Sequence, residues 1–306
     1  MSLRSVLSGS SPASVPCGGA PRAVPEPPSP EPPSPEPPAQ AAPLTPAGVE
    51  AALARLSLEP AALWAVMRVE AKACGFLADR RPVILFERHV FHRRTGGVFA
   101  SSHPEVSNPK PGGYGRPGAH QHDRLAAAQA LDRVAALESA SWGLGQVMGF
   151  NAGVAGYPDV VAFVAAMRAG EDAQLGAMAA FIAANGLDRA LRRRDWTGFA
   201  RGYNGPGFAR NAYDVKLATA FADYASGARP PPDLRLRALQ MRLLFLGFAP
   251  GPVDGVFGRR TRTALAAFRV GSGADPAAAR DPPTEADEIA LADAAGRLGA
   301  RAAARA

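Results

Sequence analysis

The stretch "AALWAVMRVEAKACGF", residues 61–76, places one acidic side chain on an otherwise apolar helix face. That face is formed by side chains at successive steps of four, three and four residues: Leu63, Met67, Glu70 and Cys74. Such spacing is typical of one side of an α-helix. We therefore predict a helix in which the Glu70 carboxyl group lies on the side that faces the core.

Length and charge limit the class of protein. With 306 residues and 47% hydrophobic content, the chain can bury a sizeable core, and its length corresponds to about two domains. The 34 Lys and Arg residues exceed the 27 Asp and Glu residues, which leaves a net charge of +7. This charge favours a polyanionic partner, such as nucleic acid, anionic lipid or bacterial cell wall. The two cysteines, Cys17 and Cys74, are too few for a disulfide framework.

Membrane and export signals are missing from the sequence. It contains no uninterrupted apolar run of the length that a membrane-spanning helix needs, about 18 residues. The N-terminal stretch "MSLRSVLSGSSPASVPCGG" lacks the apolar core of a signal peptide. We therefore expect no membrane insertion and no signal peptide.

Changes in composition divide the chain into five segments. The N-terminal region is rich in proline and contains "EPPSPEPPSPEPP", which predicts a disordered, extended arm. Folded structure should begin near Thr45, which can cap a helix that has Pro46 in its first turn. The predicted segments are an arm (1–43), a first domain (44–225), a linker (226–233), a second domain (234–299) and a tail (300–306).

Helical periodicity dominates the first domain. The candidate helices cover residues 46–56, 60–74, 124–139, 158–168, 171–185, 187–193 and 211–225. The β-branched and aromatic run "PVILFERHVF" predicts a strand, and together with the glycine-rich stretch after it a small β element. Residues 103–122 are mostly turn formers, which predicts a long irregular loop. The predicted fold class is mainly α with a small β element.

A carboxyl group on an apolar face can act as a general acid. Burial disfavours the charged form, so the pKa of such a group rises and it can hold a proton near neutral pH. The structural alternative is that Glu70 forms an ion pair with an arginine such as Arg68, Arg80 or Arg88, or that it lies at the open end of the apolar stripe. The helix pattern alone leaves both possibilities open.

Two glycine-rich stretches carry side chains suited to sugar binding. In "SASWGLGQVMGFN", Trp142 offers a stacking face and Gln146 offers a paired donor and acceptor. In "RGYNGPGFARNAY", Tyr203 and Asn204 carry polar tips. We predict Trp142, Gln146, Tyr203 and Asn204 as substrate-binding residues, although each stretch alone also fits a plain turn.

The order of these motifs resembles a known superfamily. An acidic residue on a helix, then Gly-Leu-x-Gln, then Tyr-Asn-x-x-Gly is similar to the goose-type lysozymes and lytic transglycosylases. More closely, "VEAKACGF", "ASWGLGQVMGFN" and "WTGFARGYNGPGF" resemble the N-acetylmuramidase domain of phage endolysins over about residues 47–225. The resemblance implies a lysozyme-like helical domain in which Glu70 is the catalytic acid. The chain departs from the wider pattern by Glu-Ala in place of Glu-Ser and by Gly145 in place of Met or Phe.

The C-terminal region has a resemblance of its own. The stretch "LRALQMRLLFLGFAPGPVDGVFGRRTRTALAAFR", residues 236–269, resembles the small three-helix peptidoglycan-binding domain. Asp254, Gly255 and Phe257 fall in its central loop, where we expect them to be structural. The sequence after Phe268 does not continue the family's pattern.

A second carboxylate would decide how the glycosidic bond is cleaved. Inverting enzymes place a base for water about 6.5–9.5 Å from the acid, and retaining enzymes place a nucleophile about 5–5.5 Å away. The candidates are Glu87, which we rank first as a catalytic residue, Asp79 and Glu138. Glu87 can instead pair with Arg88. Without a second carboxylate, the muramyl 6-hydroxyl could attack, as in lytic transglycosylases.

Five histidines raise the alternative of a metal-dependent wall peptidase. His89 and His92 lie three residues apart, and His120 and His122 flank Gln121. The sequence contains no HExxH motif, so we predict no metal site and no cofactor.

The combined pattern predicts a peptidoglycan hydrolase that cleaves the β-1,4 bond between N-acetylmuramic acid and N-acetylglucosamine. Its expected partner is the peptidoglycan glycan strand, and we expect a monomer that binds no nucleic acid. As a phage or prophage lysin it would stay in the cytoplasm until it is released to the cell wall or periplasm. The alternatives are a lytic transglycosylase and a non-catalytic wall-binding protein.

Overall fold

The structure is a computed structural model that describes residues 40–71, 74–205, 207–274 and 282–303. Most of the predicted Pro-rich arm, residues 1–39, lies outside the described residues. The last part of that segment packs against the first domain. Ala41 is buried, and Ala42 forms a parallel bridge with Gly170. The folded part of the chain therefore includes residues that composition assigned to the arm.

The first domain is mainly helical, as predicted. Its helices are α1 (Pro46–Leu56), α2 (Pro60–Glu70), α3 (Arg88–Arg94), α4 (Ala119–Gln129), α5 (Arg133–Glu138), α6 (Val160–Ala169), α7 (Glu171–Ala184), α8 (Leu187–Arg192), α9 (Trp196–Asn204) and α10 (Tyr213–Ala225). Thr45 caps α1, because its hydroxyl accepts a hydrogen bond from the amide of Gly48. Helix α2 ends at Glu70, so the acidic residue lies at the last turn of the helix and not in its middle.

Small side chains allow α2 to approach α10 closely. Ala62 and Ala65 of α2 pack against Ala220 and Phe221 of α10 in one buried cluster. Leu63 is also buried, whereas Met67 and Glu70 further along the predicted stripe are partly exposed. The apolar stripe is therefore deepest at the start of α2 and opens to solvent near Glu70.

A three-stranded antiparallel sheet forms the β element. It consists of β1 (Ile84–Phe86), β2 (Ala140–Trp142) and β3 (Val147–Met148), with Leu85 opposite Ser141 and Ser141 opposite Met148. The predicted strand "PVILFERHVF" is shorter than expected, because the chain turns into α3 after Glu87. The partner strands come from residues 140–148 and not from the glycine-rich stretch that follows α3.

Two other regions differ from the sequence prediction. The helix predicted over residues 124–139 is two helices, because Asp132 accepts a hydrogen bond from the amide of Ala135 and starts α5. Its first half begins earlier than expected, so α4 takes up the end of the predicted loop 103–122. The stretch that we interpreted as a turn at Tyr203 and Asn204 is the end of helix α9.

The C-terminal unit contains three helices in the described part of the chain, α11 (Leu234–Phe245), α12 (Arg259–Gly271) and α13 (Glu285–Ala303). Its buried core includes Leu239 and Leu243 of α11, Leu265 of α12 and Leu291 of α13. The segment that departs from the family pattern therefore supplies the third helix, which reaches into the predicted tail. In the described residues, no helix has the length and apolar character required to cross a bilayer.

The loop before α12 is held by α11. The side-chain oxygen of Gln240 accepts hydrogen bonds from the amides of Asp254 and Gly255, at 2.9 and 2.8 Å. Gly255 has a φ of +73°, and a Cβ atom there would lie 2.6 Å from the carbonyl oxygen of Asp233. This contact explains why glycine occupies the position.

We predict opposite effects for two glycine-to-alanine changes in this unit. Gly255→Ala should lower the free energy of unfolding by about 2 kcal/mol, because the residue has positive φ and meets backbone atoms. Gly296→Ala is the matched control on α13, where nothing lies within 4 Å of the new Cβ. It should raise the stability by roughly 0.5–1 kcal/mol. Chemical denaturation measures both values, and equal effects would contradict the assignment.

Candidate active site

Glu70 lies in the wall of a cavity of about 400 Å³ in the first domain. The wall is formed by the end of α2, one face of the sheet, and parts of α7, α9 and α10. Its lining residues are Val69, Glu70, Ala71, Leu85, Ser141, Gly145, Gln146, Val147, Met148, Asn151, Phe181, Tyr203, Asn204 and Tyr213. Four of the six predicted site residues therefore lie together: Glu70, Gln146, Tyr203 and Asn204.

The pKa of Glu70 is raised above its ordinary value. Burial is the largest cause, since it removes water from the charged carboxylate. Two effects oppose it: a hydrogen bond from Asn204 and the positive charge of Lys216. Asn204 Nδ2 donates to Glu70 Oε1 at 2.8 Å. The carboxyl group can therefore hold a proton at a higher pH than an exposed glutamic acid.

Tyr203 connects α9 to the turn between β2 and β3. Its hydroxyl donates to the carbonyl oxygen of Gly145 at 2.9 Å, and its ring stacks on that of Phe199 with centroids 5.3 Å apart. Burial raises the pKa of the Tyr203 hydroxyl, and the negative charge of Glu70 raises it further. Tyr203 therefore stays neutral and fixes the position of Asn204, the next residue.

The side chain of Gln146 is hydrogen-bonded within the same turn. Its φ of +49° is in the left-handed region. Its amide nitrogen donates to the carbonyl oxygen of Gly143 at 2.8 Å, and its amide oxygen accepts from Ser141 Oγ at 3.1 Å. The predicted donor and acceptor are thus already paired within the protein, although the side chain lines the cavity.

The structure does not place Trp142 in the cavity. Its exposed fraction is 3%, and its indole nitrogen donates to the carbonyl oxygen of Leu137 at 3.1 Å. The reason is strand alternation, because successive residues of β2 point to opposite sides of the sheet. Ser141 faces the cavity, so Trp142 faces the core. The aromatic side chains that do line the cavity are Phe181, Tyr203 and Tyr213.

Glu87 also lies outside the cavity lining. It occupies the position before α3, where its carboxylate is 3.1 Å from His89 Nδ1 and accepts a hydrogen bond from the Tyr114 hydroxyl at 3.3 Å. The end of β1 explains this: Leu85 lines the cavity, but the strand ends at Phe86 and the chain turns into α3 after Glu87. The close neighbours of the carboxylate are thus the His89 ring and the Tyr114 hydroxyl, and not the predicted Arg88.

The other two candidate carboxylates have partners of their own. Asp79 Oδ2 lies 2.6 Å from Arg81 Nη2, and Glu138 Oε2 lies 2.7 Å from Arg94 Nη1. Neither residue lines the cavity. Among the described residues in its wall, Glu70 carries the one carboxyl group.

The histidines are distributed over separate contacts. His89 Nδ1 lies 3.1 Å from Glu87, His92 approaches the Ser107 hydroxyl, and His122 contacts the carbonyl oxygen of Pro82 at 2.8 Å. Where the structure describes the chain, no three His, Cys, Asp or Glu side chains come close enough to hold a metal ion.

Sequence reasoning missed several polar groups of the cavity wall: Ser141, Asn151 and Tyr213. The pairing of β1 with β2 would have identified Ser141, because Leu85 and Ser141 are direct partners. The role of Lys216 is electrostatic, and its sequence position on α10 gives no sign of it.

Comparison with known proteins agrees with this geometry. The family model of N-acetylmuramidase matches residues 59–225, and that of a putative peptidoglycan binding domain matches residues 233–269. The crystal structure of the Burkholderia AP3 phage endolysin is similar, with a TM-score of 0.57 and 45% sequence identity over 61% of this chain and 72% of that chain. No curated protein matches the chain. The chain belongs to the N-acetylmuramidase family, as a peptidoglycan hydrolase with a peptidoglycan-binding domain after its catalytic domain.

Proposed function

We propose that the protein cleaves the β-1,4 bond between N-acetylmuramic acid and N-acetylglucosamine, with Glu70 as general acid. The observation that carries this proposal is the raised pKa of Glu70 in the wall of a cavity. The partner is the peptidoglycan glycan strand, on which the protein acts as a monomer. The similar AP3 protein is a phage endolysin, and its 45% sequence identity to this chain supports the same kind of target.

Asn204 decides which oxygen of Glu70 carries the proton. Since Asn204 Nδ2 donates to Oε1, that oxygen acts as an acceptor and the proton resides on Oε2. Glycoside cleavage passes through an oxocarbenium-like state in which the leaving oxygen needs a proton. Glu70 Oε2 supplies that proton, and Asn204 then stabilises the carboxylate that remains.

The composition of the cavity wall bears on what attacks the anomeric carbon. Since no other carboxylate lines the described cavity, the wall favours lytic transglycosylation as a second candidate. In that reaction the muramyl 6-hydroxyl attacks C1, the bond to the leaving oxygen breaks, and Glu70 takes up the hydroxyl proton after giving its own away. The product is an anhydro sugar, lighter than the hydrolysis product by one water.

Glu87 as a base for water stays a prediction from the sequence. The substrate-binding roles of Gln146, Tyr203 and Asn204 are likewise proposals, supported by their position in the wall. We expect Gln146 and Tyr203 to contribute to substrate binding by shaping the cavity wall, because their polar atoms are already hydrogen-bonded within the protein.

Glu70→Gln should reduce the release of soluble fragments from purified peptidoglycan by about 100-fold or more, since the amide has no proton to transfer. The matched control is Glu50→Gln on α1, where the side chain is exposed. Mass spectrometry of the products measures the release. Full activity in Glu70→Gln would refute the acid assignment, and no release by the wild type would favour a non-catalytic wall-binding protein.

The same products separate the two reactions. New reducing ends with the mass of a hydrolysed sugar indicate hydrolysis, and anhydro ends indicate transglycosylation. Glu87→Gln should leave both the rate and the product unchanged if Glu87 serves only its contacts with His89 and Tyr114. A loss of activity comparable to that of Glu70→Gln would restore Glu87 as the second catalytic carboxylate.

Asn204→Ala should shift the alkaline limb of the activity profile to higher pH. Activity requires protonated Glu70, so it falls as the pH rises through the pKa of Glu70. The hydrogen bond from Asn204 lowers that pKa, and its loss therefore raises it. The profile is measured on purified peptidoglycan against the control Asn211→Ala, whose side chain is exposed. A shift to lower pH would contradict the argument.

A further inference from the structure

A buried ion pair joins the C-terminal unit to the catalytic domain. Arg237 of α11 pairs with Glu171 at the start of α7, and the exposed fractions of their side chains are 5% and 0%. Both terminal nitrogens of the guanidinium group take part: Nη2 donates to Oε1 at 2.7 Å, and Nη1 donates to Oε2. A pair with this geometry and burial depends on both partners, because either charge alone would be left without water.

Glu171 also holds the chain that follows the catalytic helix. Its Oε1 atom accepts a hydrogen bond from the amide of Gly75 at 2.8 Å, and Oε2 accepts one from the amide of Leu44 at 3.0 Å. Gly75 lies five residues after Glu70. One carboxylate thus connects the C-terminal unit, the segment after α2 and the segment before α1.

One turn further along α7, Gln174 holds the opposite wall of the cavity. Its amide oxygen accepts from the amide of Leu144 at 2.8 Å, and its amide nitrogen donates to the carbonyl oxygen of Met167 at 2.8 Å. Leu144 belongs to the turn that carries Gln146. A Cβ atom on Gly143 would lie 2.4 Å from the side chain of Gln174, so the turn is in close contact with this side chain. Displacement of the start of α7 would therefore move both walls.

Apolar and aromatic contacts surround the ion pair. Phe76 meets Phe245 of α11 edge to face, with ring centroids 6.4 Å apart, and Met241 is fully buried beside them. The guanidinium of Arg80 lies 5.1 Å from the centre of the Phe245 ring. Each of these contacts involves the segment that follows α2, so this segment is packed between the two domains.

We propose that Arg237 is a positioning residue for the active site and that the C-terminal unit completes the catalytic domain by neutralising Glu171. The α11 helix thereby fixes the segment after Glu70 as well as carrying the wall-binding unit. This inference rests on the proposed function insofar as Glu70 is the catalytic acid. It goes beyond that function by giving the binding unit a part in turnover.

A charge effect separates positioning by the ion pair from general packing. The groups that face Glu171 are Arg237 from α11, the Cys74 thiol from the segment after α2, and the Gly75 and Leu44 amides. Burial, followed by the charge of Glu171, raises the pKa of Cys74 to about 12, so the thiol stays neutral. Without Arg237, Glu171 therefore has no cationic partner among these groups, and a buried carboxylate without a counter-charge is strongly destabilising.

The test compares four full-length variants with the wild type: Arg237→Met, Arg237→Lys, the double variant Glu171→Gln with Arg237→Met, and Arg235→Met. The last is the matched control, because Arg235 is on the same helix and forms an exposed ion pair with Glu288 at 3.0 Å. The measured quantities are kcat and KM for fragment release from purified peptidoglycan between pH 5 and 8, the melting temperature, and co-sedimentation with peptidoglycan.

Arg237→Met should lower kcat by about tenfold or more, because it leaves the buried Glu171 carboxylate without a counter-charge. Co-sedimentation should stay at the wild-type level. Arg237→Lys and the double variant should recover most of the lost kcat, since neither leaves an unpaired charge. Arg235→Met should match the wild type throughout.

Three outcomes would overturn the inference: wild-type kcat in Arg237→Met, weaker co-sedimentation with unchanged kcat, or the same loss of kcat in the double variant as in Arg237→Met. If Arg237→Met does not fold, Arg237→Lys and the double variant decide the question, because a tenfold loss of kcat in either contradicts the charge argument. A wild type without fragment release refutes the proposed function instead. The inference is then judged by the amide NMR signals of Gly75 and Leu144, which must shift in Arg237→Met and return to their wild-type positions in the double variant.

Discussion

Burial raises the pKa of Glu70, and two groups lower it: the amide of Asn204, whose Nδ2 donates to the carboxyl group, and the more distant charge of Lys216. The balance depends on two helix ends, because Glu70 ends α2 and Asn204 ends α9. Close packing of α2 on α10, and of Trp196 of α9 on Phe221 of α10, fixes those ends relative to each other. These helix contacts thus hold the Glu70 carboxyl group partly buried and within hydrogen-bond distance of the Asn204 amide.

The sheet divides its side chains between the cavity and the core. Ser141, in the middle of β2, faces the cavity, and Trp142 beside it is packed in the core. A larger aromatic surface facing the cavity would require a shift of one residue, which would expose the indole and bury the hydroxyl. The cavity therefore relies on Phe181, Tyr203 and Tyr213 for its aromatic surface.

The sequence was sufficient for the parts of the fold that depend on local chemistry. The Thr45 cap and Pro46 predicted the start of α1, and apolar periodicity predicted that Glu70 lies on the helix that carries the site. Tyr203 and Asn204 were expected in a turn, but they end a helix, because glycine and proline after them suggested an earlier break. The position of Trp142 follows from alternation in β2, and that of Glu87 follows from the end of β1 at Phe86. Both strands have three residues, which is too few for periodicity to reveal. Contacts between distant segments, such as Arg237 with Glu171, leave no pattern in the local sequence.

Two specific contacts join the two domains, which a flexible tether would leave without any. They are the edge-to-face packing of Phe76 on Phe245 and the buried ion pair of Glu171 with Arg237. For this chain a transplanted unit must present an arginine and an aromatic ring at the same places on its first helix. A chimera without that arginine leaves the buried Glu171 carboxylate without a counter-charge. The contact between the two domains therefore limits which C-terminal units can be combined with this catalytic domain.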